Sequence, residues 1–305
     1  MPASISTRRF AFAALALTAM LQAAPASAQD KVKAVATFSI LNDFVKNVGG
    51  DRVEVTSLVP PNGDAHVYAP SPADAKKLAD AKIVFTNGLG FEGWIPRLVK
   101  ASGTKAAVIV ATKGIKPRKM EEEGHDHGHA EADPHAWQSV PNAKIYVANI
   151  REALVAADPA GKAIYEANAA AYLSKLDALN ADVKGQIEKI PADRRRIITT
   201  HDAFGYFKGA YGIDFIAPQG VSTESEASAK DVAKIIAQIK KQKIPAVFLE
   251  NVSDPRLLER IAKESGAKLG GTVYSDALTD EKGPAPTYID MMKHNIRAFS
   301  AALTS

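Results

Sequence analysis

Between Asp158-Pro159 and Pro191 the chain contains no further proline, and the stretch is rich in Ala, Leu, Lys and Glu. Asp at the N-cap and Pro at the first helical position mark a helix start, and Pro191 marks its stop. The residues between are good helix formers. One helix over Pro159–Ile190 would span about 45–50 Å at 1.5 Å per residue. A helix that long is expected to bridge two lobes rather than cover one sheet. Its apolar positions are Ile164, Ala167, Ala171, Tyr172, Leu176, Leu179 and Val183, which recur at helical spacing. Two helices with a kink near Gly185 are the competing reading.

On both sides of this stretch, short apolar runs alternate with amphipathic ones. Before it, strands are predicted at Val32–Phe38, Val53–Val59, Lys82–Thr86 and Ala106–Ala111. Helices are predicted at Leu41–Val48, Pro72–Asp80 behind a Ser71 cap, Phe91–Ala101 and Pro141–Ala156. After it, strands are expected at Arg196–Thr200, Ile213–Ala217, Pro245–Leu249 and Leu269–Tyr274. Helices are expected at Ala229–Lys241, Pro255–Gly266 and Thr287–Leu303. Alternating strands and helices imply parallel sheets. The expected fold is therefore α/β, with two similar lobes, each a parallel sheet flanked by helices. The lobes are 29–157, including a polar loop over 118–134, and 191–305, joined by the helix 158–190. A cleft between lobes is the usual place for a ligand.

At 305 residues the chain is too long for one ordinary core. Residues 1–28 read as a signal peptide. Arg8-Arg9 precede an apolar run from Phe10 to Leu21, and Ala26-Ser27-Ala28 is a small-residue cleavage site. The mature chain would begin at Gln29. The apolar run is too short to span a bilayer. There is no cysteine, so neither a disulfide nor a thiolate ligand is available, and no lipid can be attached at the cleavage site. A free periplasmic monomer is expected. Without the leader, 36 basic residues face 34 acidic ones. The lysines are scattered rather than clustered with aromatics, so nucleic-acid binding has no support.

In a chain without cysteine, a metal site must use histidine and carboxylate. His66 lies in Gly63-Asp64-Ala65-His66-Val67-Tyr68, after a strand, and His135 in Asp133-Pro134-His135-Ala136-Trp137. His201 ends a strand in Thr199-Thr200-His201-Asp202, and Asp276 follows the last strand in Tyr274-Ser275-Asp276. At least three of the four lie past the carboxyl end of a strand, where open α/β sheets bind ligands. Three imidazoles and one carboxylate suit zinc, copper, nickel or iron, while calcium and magnesium want more oxygen. On spacing alone, four unrelated polar loop residues are the favoured reading, since the candidates lie far apart in sequence. His125, His127 and His129 alternate with small and acidic residues, a tract able to hold metal weakly and exchange it quickly. Glu250-Asn251 follow a strand on the same edge and could hydrogen-bond a ligating imidazole, or simply cap a loop. His294, on the final helix, reads as packing or surface.

The chain resembles the zinc/manganese-binding solute receptors of bacterial ABC transporters, the cluster A-I group. The carriers are His66-Val67-Tyr68-Ala69-Pro70-Ser71-Pro72, Asp133-Pro134-His135-Ala136-Trp137, Thr200-His201-Asp202-Ala203-Phe204-Gly205-Tyr206-Phe207 and Tyr274-Ser275-Asp276. The resemblance covers essentially the whole mature chain. It implies two lobes on one long rigid helix, with a single metal ion between them. By position, the ligands it implies are His66, His135, His201 and Asp276. Manganese and iron receptors of the group often carry Glu at the third position. His201 there resembles the zinc receptors, and the extra nitrogen favours zinc (Zn2+) over manganese (Mn2+). The His-rich loop also resembles that of zinc receptors, though it is short. The implied partner is a membrane permease, with a metal-donor protein as a second candidate at the His loop.

The expected activity is capture and release of an ion, not catalysis. Imidazole must be neutral to coordinate, so affinity is expected to fall below about pH 6 to 6.5. A zinc hydrolase is the rival reading, with Asp276 or Glu250 as general base beside a three-ligand metal. No His-Glu-x-x-His helix supports it. An adhesin is a second rival, which the lack of a lipid-anchor cysteine argues against.

Overall fold

Two four-stranded, wholly parallel sheets share one strand order, in which the second strand of each lies at an edge beside the first, followed by the third and the fourth. The computed structural model describes residues 30–119 and 132–304. Residues 1–28, predicted as a signal peptide, and the histidines 125, 127 and 129 lie outside the described residues. In the first lobe β1 is Val32–Ala36, β2 Val53–Ser57, β3 Ile83–Thr86 and β4 Ala107–Val110. In the second, β5 is Arg196–Ile198, β6 Asp214–Ile216, β7 Ala246–Glu250 and β8 Lys268–Val273. In each sheet the strand order reverses beside the first strand, which places the crevice for a ligand at the carboxyl edge. The halves share this topology without a visible sequence repeat.

The helices begin where local chemistry lets them. Ser71 and Asp74 form a reciprocal capping box for α2 (Pro72–Asp80): Ser71 Oγ accepts from the Asp74 amide, and Asp74 accepts from the Ser71 amide. Pro255 opens α8 (Pro255–Ser265) behind the Asp254 cap, and Gly266, at φ 79°, closes it. The remaining helices are α1 (Ser39–Gly49), α3 (Ile95–Ser102), α4 (Val140–Ala157), α5 (Lys162–Glu188), α6 (Gly205–Tyr211), α7 (Ala229–Gln242) and α9 (Tyr288–Thr304). The start of α3 lies four residues later than predicted. Glu92 is drawn away from it, accepting from the Asn87 and Gly88 amides and the Thr37 hydroxyl.

The long helix is present and runs through Gly185 as α-helix. Its 27 residues span about 40 Å. The first turn, Pro159–Gly161, is 3-10 instead. Asp158 does not cap it, because its carboxylate accepts from Arg52 and from the Tyr165 hydroxyl. The buried stripe is Tyr165, Ala169, Tyr172, Leu176, Leu179, Val183 and Ile187. The predicted stripe was one residue out of register over its first turns, and Ile164, Ala167 and Ala171 face solvent. Two stripes one residue apart have the same period, and the Tyr165–Asp158 hydrogen bond favours the larger ring inside.

One cluster of buried side chains runs from β1 and β3 through α1, α4 and α5 to β5, β7 and α9. In the second lobe the strands alternate. Ile197 and Phe248 join this cluster, while Ile198 and Val247 face a smaller one under α7 and α8. The β7–β8 pairing shifts register between Val247 and Leu249, a bulge at Gly270-Gly271 in β8. Both glycines are required there: a Cβ on Gly270 would lie 2.4 Å from the Phe248 ring, and Gly271 has φ 100°. Among the described residues no helix is long and apolar enough to cross a membrane.

Candidate metal centre

Loops from both sheets bring His66, His135, His201 and Asp276 together at the carboxyl edges of the strands. One donor atom from each lies within 4.8 Å of the other three. His66 Nε2 is 3.2 Å from His135 Nε2 and 3.4 Å from Asp276 Oδ2. His201 Nε2 is 3.1 Å from Asp276 Oδ2, and His135 Nε2 is 3.6 Å from Asp276 Oδ1. A tetrahedral ion with bonds near 2.0–2.1 Å has donors about 3.3 Å apart. The cluster therefore has the size of an ion's first coordination sphere. Asp276 Oδ1 is buried without a hydrogen-bond partner, an arrangement a cation suits and water-free protein otherwise avoids.

Each donor is held by its own loop. In the β2–α2 loop, Asp64 Oδ1 accepts from the His66 amide at 2.9 Å, and Trp94 Nε1 donates to Ala65 O at 2.8 Å. Asp133 Oδ1 accepts from the His135 amide at 3.0 Å and faces its Nδ1 at 2.9 Å. Both are the same Asp-x-His turn, in which a short carboxylate bonds the backbone two residues on. Beyond β5, Glu250 Oε1 accepts from the Thr200 and His201 amides, and Glu250 Oε2 lies 2.6 Å from His201 Nδ1. Before Asp276, Ser275 O accepts from Trp137 Nε1 at 2.8 Å and Gln138 Nε2 at 2.7 Å. Those two donors come from the opposite lobe, so the fourth residue is registered against the second.

Of the outer residues predicted, Glu250 meets an imidazole. Asn251 does not: its amide donates to Asn62 Oδ1 and Ala277 O. His294 is a surface residue bonded to Thr272 O and packed on Tyr274. Sequence reasoning missed the roles of Asp64 and Asp133, although the repeated Asp-x-His spacing carried the signal. Arg118, which donates to Asp133 Oδ2 at 3.1 Å, and Phe91, whose ring meets His66 edge-on, had no such signal. Arg118 and Asp133 also pair through their backbones, and Lys119 bridges Ala132, so the polar loop is pinched at its base.

Charge is concentrated where water is excluded. Burial pulls the His135 imidazole down, but Asp276 and Asp133 outweigh it and raise the pKa from 6.5 to about 9. His201 is likewise lowered by burial but carried well above the ordinary value by Glu250 and Asp276. Burial pushes Asp276 up, yet His201 and His135 hold it well below the usual carboxylate range. Affinity expected to fall below about pH 6 to 6.5 should, with the rings' pKa values raised, begin to fall at higher pH. The carboxylates that orient the rings also hold protons on them to higher pH.

A two-lobed solute receptor with an ion-sized donor cluster at its seam is the class that fold and site define. Residues 34–302 match the family described as zinc-uptake complex component A, periplasmic (ZnuA), and the chain belongs to that family. The chain is 36% identical to the iron-binding protein YfeA of Yersinia pestis over 287 residues, 94% of this chain and 91% of that one. It is 36% identical to the manganese-binding lipoprotein MntA of Halalkalibacterium halodurans over 273 residues, 90% of this chain and 89% of the other. The structure of the periplasmic zinc binding protein TroA from Treponema pallidum superposes with a TM-score of 0.84 at 32% identity, covering 90% of this chain and 99% of that one. These are receptors rather than enzymes, and the hydrolase reading falls. The family supplies divalent metal ions to ABC importers from outside the cytoplasmic membrane, working with a membrane permease and its ATPase.

Proposed function

We propose that this chain captures Zn2+ in the periplasm and delivers it to an ABC-transporter permease, with His66, His135, His201 and Asp276 as the ligands. The observation that carries the reading is the convergence of three imidazole nitrogens and one carboxylate within 4.8 Å. Three nitrogen donors and one oxygen favour zinc over harder ions. Asp133 and Glu250 act as orienting partners that fix which ring nitrogen faces the ion. In this reading 29–157 and 191–305 are the two lobes and 158–190 the linking helix. Residues 1–28 are cleaved, and the mature chain is an unlipidated monomer. His125, His127 and His129 gather metal or take it from a donor protein.

Manganese or iron is the second reading. Both Asp276 oxygens face imidazole nitrogens, so bidentate binding would give five donors, and the relatives named for iron and manganese are as similar as any reported above. Calorimetric titration of the metal-free chain from Gln29 with each ion separates the two. Tight one-to-one zinc binding that excess manganese does not displace supports the first. Equal or preferential manganese binding overturns it.

A further inference from the structure

Over the chain from Gln29, basic and acidic residues nearly balance, 36 against 34, but they are not evenly spread. Between Gly93 and Lys119 there are seven basic residues and no acidic one, which leaves 29 basic against 34 acidic elsewhere. Arg118 pairs with Asp133. The other six, Arg97, Lys100, Lys105, Lys113, Lys116 and Lys119, are exposed, and none has an ion pair among the described residues. They flank β4, the edge strand of the first sheet, which pairs with β3 alone. Arg97 and Lys100 stand on the outer side of α3, and Lys105 precedes β4. Lys113, Lys116 and Lys119 follow it, past the edge that carries the metal centre. Val108 and Val110 share one face of β4 and are 41% and 45% exposed. The acids of the helices beside this edge are already paired: Asp74 with Lys77 and Asp80 with Lys76 on α2, and Glu152 with Arg151 on α4.

We propose that this edge of the first lobe adsorbs to an anionic phospholipid surface, with the six cations over the headgroups and the two valines against the interface. Its composition points to lipid rather than to protein. Interfaces between proteins favour Arg and aromatic side chains and are poor in Lys. Five of these six cations are Lys, and the one aromatic residue between Gly93 and Lys119, Trp94, is buried. A Lys ammonium is a point charge on a flexible stem, suited to a layer of phosphates that offers no fixed partner. Exposed apolar side chains among cations are the pattern of shallow interfacial contact. Lysines beside an edge strand also deter pairing between copies, but Arg97, Lys100, Lys116 and Lys119 lie off the strand and cannot serve that end. A receptor held at the bilayer searches for its permease in two dimensions. The proposal takes from the function above only that the mature chain is periplasmic and unlipidated, so that charge and not an acyl chain brings it to the membrane.

The test is co-sedimentation of the chain from Gln29, metal-free and loaded with Zn2+. The vesicles are phosphatidylethanolamine with phosphatidylglycerol, and phosphatidylcholine alone as the neutral comparison. Binding is expected to the anionic vesicles only, and should weaken steeply between about 0.02 and 0.2 M salt as screening tightens. Each cation near such a surface is worth about fivefold in affinity, so Lys113→Gln, Lys116→Gln and Lys119→Gln together should cost on the order of a hundredfold. Removing three exposed charges from α7 instead, as Lys230→Gln, Lys240→Gln and Lys241→Gln, should cost less than about threefold. Both native tryptophans are buried, so Val108→Trp adds an exposed indole whose emission should shift to the blue on the anionic vesicles. No sedimentation of the parent at low salt, an equal loss in the two triple variants, or an unshifted Val108→Trp emission would each overturn the proposal. Sedimentation that appears only when Glu121, Glu122 and Glu123 are changed to Gln would give the patch to those acids and overturn it too. Zinc titration of the Lys113, Lys116 and Lys119 variant should match the parent. Loss of zinc binding by the parent itself would sink the metal reading and leave the vesicle result standing.

Discussion

Raising the pH from 7 to 8 should strengthen zinc binding about 10- to 100-fold. In the metal-free protein the His135 proton is held to about pH 9, and the ion needs that ring neutral. At pH 7 it must displace a proton held by about two pH units, which at 1.36 kcal/mol per unit weakens binding by about 2.7 kcal/mol, roughly a hundredfold. His201 is shifted in the same direction. The apparent association constant should therefore rise about tenfold per pH unit for each of the two protons displaced. Three histidines at the unperturbed value near 6.5 would give only about a twofold rise between pH 7 and 8. Calorimetry at pH 7 in buffers of different protonation enthalpy counts the protons directly, and one to two per ion are expected. A count below one, with a roughly twofold pH effect, would refute the argument that Asp276, Asp133 and Glu250 hold these rings charged.

The same groups set a sign for stability. A histidine whose folded pKa lies above its unfolded one stabilises the fold fully below about pH 6.5 and loses that contribution as the pH rises through about 9. The metal-free protein should thus melt at a lower temperature at pH 9 than at pH 6.5, and a higher one would contradict the assignment. Glu250→Gln keeps the shape beside His201 but removes the charge that favours its protonated ring, so the protons released per zinc ion at pH 7 should fall by up to one, and an unchanged count would contradict that role. Asn251→Ala should leave the affinity unchanged, since its amide bonds Asn62 and Ala277 instead. Leu176→Ala, at a fully buried position on α5, should cost about 2–5 kcal/mol. At about 2–4 °C per kcal/mol, thermal unfolding should shift down by some 4 °C or more, and an unchanged midpoint would mean that α5 does not organise the core.

Elements with explicit punctuation were legible in the sequence. Ser71-Pro72 and Pro255 with Gly266 bounded α2 and α8 to within a residue. The short α6, Gly205–Tyr211, was not predicted: Phe204 offers it no side-chain cap, and seven residues are too few to display a period. In α5 the period was readable but its phase was not, because the choice of Tyr165 over Ile164 depends on Asp158, a partner fixed by the fold. The four donors could be picked out by residue type and strand-end position. Their convergence could not, since it depends on the Trp137 and Gln138 bonds to Ser275, which join residues more than a hundred positions apart. Arg118 illustrates the same limit, being a loop cation until the fold sets it against Asp133.

The buried cluster that passes from β1 through α5 to β7 and α9 has a mechanical consequence. Because that cluster is continuous between the halves, a large change in lobe angle would have to tear apolar surface out of a shared interior. A transporter that must tell a loaded copy from an empty one is then given ångström-scale shifts of the rim to read, not the gape of a jaw.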